Sequence, residues 1–232
     1  YTYSQSIPVG GYVPLTAPTT AIAAPWDDNA PVQIPIGFNF SYDSTVFTNC
    51  YVSPNGFITF GSTAPLTNNY TPLSNTTVYN PGNTGGAVSV MGGNLISNGS
   101  PIEYGVTGSA PNRVFVIQWT NANRKSTAVI PGDFDFQIQL FETTNAIAFN
   151  YGNCDTSAST TTFNVQVGLR GFDNNLAQGN VFNRVQGSSQ IWGNSGATTQ
   201  GFANTSTLIT NDLSYPNFGL QFIFAPGSPC TT

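Results

Sequence analysis

In residues 133–141, Phe134, Phe136, Ile138 and Leu140 alternate strictly with Asp133, Asp135, Gln137 and Gln139. A period of two puts the apolar side chains on one face of a pleated strand and the polar ones on the other, so one face has to be covered. Ile36, Phe38, Phe40 and Tyr42 repeat the pattern against Gly37, Asn39 and Ser41. Asp43-Ser44 can then turn the chain into a second run through Val46, Phe47, Cys50, Tyr51 and Val52, and Asn55-Gly56 supplies the positive backbone angles of a tight hairpin. Further strands are expected over 113–119, 146–151, 163–170 and 220–224, with residues 142–145 joining two of them closely. No segment carries a helical period, and the Gly/Asn/Thr/Pro-rich stretches 62–86 and 171–216 read as long loops. The expected fold is all-β: an antiparallel, jelly-roll-like two-sheet sandwich with long loops, one domain over 1–226, and a tail or linker start at 227–232.

Charge narrows the function. Only 6% of the 232 residues are Asp, Glu, Lys or Arg, against about 25% in ordinary soluble domains. Ten acids face five bases, and Lys125 is the one lysine. A chain without basic clusters does not suit the phosphates of nucleic acid. No run of about eighteen apolar residues exists, so no membrane span is expected. The absence of histidine excludes Ser-His-Asp and Cys-His hydrolases and most catalytic zinc sites. Glycine-rich phosphate loops are missing as well, and the chain is not expected to be an enzyme.

Asp133 and Asp135 are the one pair that keeps glycoside hydrolysis open, standing roughly 7 Å apart on one strand face at ~3.3 Å per residue. Laminarinase-type jelly-roll glucanases carry Glu, Asp and Glu at i, i+2 and i+5, whereas Ile138 follows here, and a solvated face or an arginine partner is the better reading. Asp27, Asp28 and Asn29, with 172–175 as a second cluster, are the candidate calcium ligands. Neither cluster matches an EF-hand, and such turns more often bond their own backbone. No other cofactor is expected. Trp26 and Trp192, in loops, could stack on sugars, though a loop tryptophan more often closes one end of a core. Of three cysteines, Cys50 and Cys154 are expected at strand ends or loops and are the preferred disulfide, leaving Cys230 over. Arg113, Arg170 and Arg184 are read as fastening loops to carboxylates such as Asp133, Asp135 or Glu142. Sequons at Asn39, Asn69, Asn75, Asn98 and Asn204 are expected from composition.

Residues 34–61, 112–119, 136–152, 165–171 and 218–230, in that order, resemble a domain of large secreted and cell-surface proteins of Bacteroidota, found near the N-terminus ahead of adhesin-type modules and a type IX secretion signal. The resemblance implies an extracellular or cell-surface β-sandwich in adhesion or surface structure, and carries no catalytic residues. Asp43-Ser44-Thr45 also resembles the short O-glycosylation motif of these bacteria, which would place a glycan on Ser44. The expected function is a non-catalytic extracellular structural or adhesion module, touching other copies of itself, other surface proteins or glycans, and self-assembling into a surface or filament. A carbohydrate-binding domain is the alternative, and a glycoside hydrolase the third reading.

Overall fold

A computed structural model describes residues 1–8, 10–73, 86–125, 133–155, 162–171, 182–187, 192, 195–199, 208–210 and 214–227. It is all-β, with two antiparallel sheets that do not close into a barrel. The first sheet runs β1 (Thr2–Ser6), β16 (Gln221–Ala225), β11 (Ile147–Asp155), β10 (Asp133–Phe141), β9 (Val114–Arg124), β8 (Ile102–Thr107), β2 (Thr19–Ile22), and β7 (Leu95–Ser97) pairs with part of β9. The second runs β14 (Ser195–Thr199), β13 (Phe182–Gly187), β12 (Phe163–Arg170), β6 (Ala87–Gly92), β5 (Phe57–Thr59), β4 (Thr45–Ser53), β3 (Val32–Tyr42), with β15 (Leu208–Thr210) on β12. Most neighbours are consecutive in sequence, as hairpin connections dictate.

The apolar faces read from the alternation meet in one core. Ile34, Ile36, Phe38, Phe40 and Tyr42 of β3 and the inner residues of β12 lie with Phe134, Phe136, Ile138 and Leu140 of β10 and Phe222 and Phe224 of β16, all buried. Aromatic pairs fill the space: Trp119 stacks on Phe136 at 5.2 Å, and Phe149 tilts against Phe224 at 5.1 Å. The Tyr151 hydroxyl, on β11, donates to the carbonyl of Val90 on β6 at 2.8 Å, tying one sheet to the other.

The outer face of the first sheet carries an unbroken row of polar side chains in register: Glu103, Gln118, Gln137, Asn150 and Gln221, on β8, β9, β10, β11 and β16. Gln118 Nε2 donates to Glu103 Oε2 at 2.9 Å, and Gln221 Nε2 to Asn150 Oδ1 at 2.7 Å. Gln137 and Asn150 are nonetheless wholly buried. Sheet order explains it. Strands β1 and β2 lie at opposite edges of one sheet, so the segment between them has to cross the whole outer face. Gln137 Nε2 donates to the Val13 carbonyl at 2.8 Å, and the Leu15 N–H donates to Gln118 Oε1 at 2.9 Å. The strap thus finds its backbone partners in the amide row.

Arg113 fastens the two sheets at one edge. Its Nε and one terminal nitrogen donate to Glu142 at 2.9 and 2.6 Å, its backbone N–H to Glu142 Oε2 at 3.0 Å, and the other terminal nitrogen to the Gly37 carbonyl on edge strand β3 at 2.8 Å. The guanidinium also lies 5.4 Å from the centre of the Phe38 ring. These hydrogen bonds from Arg113 hold the Glu142 carboxyl at about 2, below the ordinary 4.5. A depressed carboxyl stabilises the fold fully above its unfolded value and loses that contribution as it is protonated in the fold. Glu142→Gln should therefore melt below the parent protein at neutral pH, and the gap should close as pH is lowered from 4.5 to about 2. Thermal melts of both proteins across that window check it; a gap independent of pH would contradict it.

Candidate functional site

Among the described residues, Asp133, Asp135 and Asp155 form a group of acids on the first sheet where β10 begins. Here register slips on both sides of Asp135: Thr120 and Asn121 of β9 and Gly152 and Asn153 of β11 stand against this one residue. Such bulges leave an unpaired N–H. Asp135 Oδ1 accepts from the Asn121 N–H at 2.8 Å, and Asn121 takes a positive φ of 50°. Only glycine fits at 152, since a Cβ there would stand 2.8 Å from the Tyr12 ring and 2.9 Å from Asp135 Cβ. Burial raises the Asp135 carboxyl, opposed by the Asn121 hydrogen bond and assisted by Asp133. Asp133 Oδ1 accepts from Asn98 Nδ2 at 2.6 Å and stands across the strands from Asp155. The spacing read as a sugar-spanning acid pair thus belongs to a double bulge in which Asp135 holds backbone.

Asp27, Asp28 and Asn29 come together with Lys125 and Tyr70. Lys125 Nζ lies 2.7 Å from Asp27 Oδ2 and 3.4 Å from Asp28 Oδ2. The Tyr70 hydroxyl reaches both Asp28 oxygens at 3.0 Å, and Asn29 Oδ1 accepts from the Asp27 N–H at 3.0 Å. A calcium ion would have to displace the ammonium group to use these oxygens. Among the described residues no group of three or more His, Cys, Asp or Glu is placed to hold a metal. The second cluster, 172–175, lies outside the described residues.

Neither tryptophan offers a ring face to solvent. Trp26, 2% exposed, donates from Nε1 to the Ser100 carbonyl at 2.9 Å, while its own carbonyl accepts from Ser97 N–H at 2.8 Å. Trp192, 1% exposed, meets Tyr151 edge-on at 5.1 Å and stacks over Phe222. Both are core residues, the commoner role for a loop tryptophan, and neither is placed to stack on a sugar. The Cys50–Cys154 disulfide is not formed either. Both are free thiols inside strands β4 and β11, which belong to opposite sheets, and burial raises both thiols. Cys230, Asn75, Asn204 and the Arg184 side chain lie outside the described residues.

Two features fit contact rather than chemistry. Asp43 and Ser44 form a two-residue hairpin with φ of 48° and 63°, and the Ser44 side chain is exposed at its tip. Ile7 and Phe218, 61% and 68% exposed, are the large apolar side chains at the end of the first sheet where β1 stops and β16 begins; Ile7 lies against Gly219. The sequence carried no sign that these segments meet, because both residues stand in irregular stretches far apart in the chain.

Trp26→Ala or Trp192→Ala should cost about 3–5 kcal/mol of stability as large core truncations, measurable by urea denaturation; a change near zero would mean the ring is not in the core. In the native protein, Cys50 and Cys154 should resist a thiol reagent and react once the chain is unfolded. A Cys50–Cys154 cross-link in a non-reducing peptide map would contradict the free thiols.

No curated protein and no solved structure matches the chain. The family model described as "NIDO related" matches residues 1–226, which span every strand of both sheets. Domains of this family are typical of extracellular proteins, and no helix among the described residues is long and apolar enough to cross a membrane. On a match of that extent, the chain belongs to the NIDO-related family.

Proposed function

We propose that this domain is a non-catalytic structural or adhesion module of an extracellular or cell-surface protein, of the Bacteroidota type its motifs resemble, and that it works through protein contacts, including contacts between its own copies. The observation that carries the reading is the exposure of both Ile7 and Phe218 at the end of the sheet beside its edge strand β1, where Ile7 lies against Gly219, the residue after Phe218. Exposed apolar side chains at the end of a sheet favour protein contact, because covering them removes apolar area from water. The sparse surface charge supports the same reading, since little charge has to be stripped of water on contact. Exposure of Ser44 on a hairpin tip suits a glycan there.

Light-scattering mass and negative-stain microscopy of the parent protein and of an Ile7→Ser/Phe218→Ser variant test this. Defined oligomers or fibres in the parent that dissolve in the variant are expected. A parent that stays monomeric at every concentration, or assemblies indifferent to both substitutions, would overturn it. Intact mass of the protein from its native host should exceed the bare sequence by a glycan lost in Ser44→Ala; agreement with the bare mass removes that assignment.

A further inference from the structure

The chain contains Asn-Gly at two places, Asn55-Gly56 and Asn98-Gly99, and the fold gives them opposite surroundings. Asn55 is wholly buried; its Nδ2 donates to the Thr67 carbonyl at 3.0 Å and its Oδ1 accepts from the Leu95 N–H at 3.2 Å. A Cβ on Gly56 would come within 2.4 Å of the Met91 carbonyl oxygen, so the turn has no room to change shape. Asn98 and Gly99 are both exposed, Gly99 has a φ of 94°, and nothing stands within 4 Å of where its Cβ would be.

We propose that Asn98 is a site of spontaneous covalent modification, in which the amide is converted to a carboxylate through a cyclic imide with Gly99. The Gly99 backbone nitrogen attacks Asn98 Cγ; the new N–C bond forms as the Cγ–Nδ2 bond breaks, the nitrogen gives up its proton and ammonia leaves. Water then opens the ring at either carbonyl, giving aspartate or isoaspartate, with no oxidant or reductant. Glycine favours the attack because it has no side chain to obstruct the approach. Asn55 has the same neighbour but reacts only through local opening of a buried turn.

The product changes the interaction with β10. Asn98 Nδ2 now donates to Asp133 Oδ1 at 2.6 Å. The product carboxylate has no N–H to donate and carries the same charge as Asp133, so a hydrogen bond becomes a repulsion. The turn between β7 and β8 loses a tie to the double bulge.

The full chain is incubated at mildly alkaline pH and followed by intact mass and by peptide mapping that resolves isoaspartate. Asn98 should convert more than roughly tenfold faster than Asn55, the difference collapsing when the chain is unfolded in urea. Gly99→Ala should slow the conversion and Asn98→Ser abolish it. Persistence of the Asn98 amide while unfolded Asn55 converts, comparable native rates at the two sites, or an N-linked glycan on Asn98 would overturn the proposal. The converted protein should melt below the fresh one, and Asp133→Asn should erase most of that loss; an unchanged melt on conversion would overturn the link to β10.

Discussion

Everything in this molecule depends on two alternating faces being pressed together. Each long strand offers one apolar side, and neither sheet could keep that side dry alone. The Tyr151 hydroxyl bonded to the Val90 carbonyl and the Arg113 guanidinium on the Gly37 carbonyl work across this plane, and both are held because the aromatic core fixes the sheets at packing distance. The buried Trp26 and Trp192 rings extend the same core to where the sequence pattern gives out.

Alternation made the central strands legible. β10 and β12 have the bounds the pattern indicates, Asp133–Phe141 and Phe163–Arg170, because one of their faces was distinctly apolar. β6 is not legible for a physical reason: all six of its residues are buried, and its outer face is covered by the chain around Leu73, whose N–H donates to Gln166 on neighbouring β12. A strand covered on both sides has no alternation to read. The edge strands β1 and β2, short and rich in Ser, Thr and Gln, have too little apolar content to stand out. β13, β14 and β15 lie inside a stretch whose glycine and asparagine content reads as loop.

At the candidate site, residue types were legible and partners were not. That Asp27 and Asp28 would meet Lys125 depends on the turn before β3 reaching the end of β9, which no local pattern encodes. Arg113 and Glu142 were both legible as residues that pair, but which arginine meets which carboxylate is set by the strands that the fold makes neighbours. Asp135 shows the opposite failure. Ideal strand spacing makes it half of an acid pair, but the bulges on both neighbouring strands are decided by how three strands accommodate one another, and they turn its carboxylate towards the Asn121 backbone. In a chain with so few charges, several of those present hold irregular backbone in place.

The strap across the first sheet also sets an order of events for a chain made from its N-terminus onward. Thr2 pairs with Ala225, so β1 cannot dock until more than two hundred residues have followed it. At about 5–20 residues per second, translation alone imposes a delay on the order of ten to forty-five seconds. Until then the strap lacks its anchor at the β1 end, and the amides of Gln118 and Gln137 stay hydrated as their strands emerge. β1, which precedes every other strand of this domain, is therefore among the last to find its place, and the row of amides is dried only when the strap closes over it.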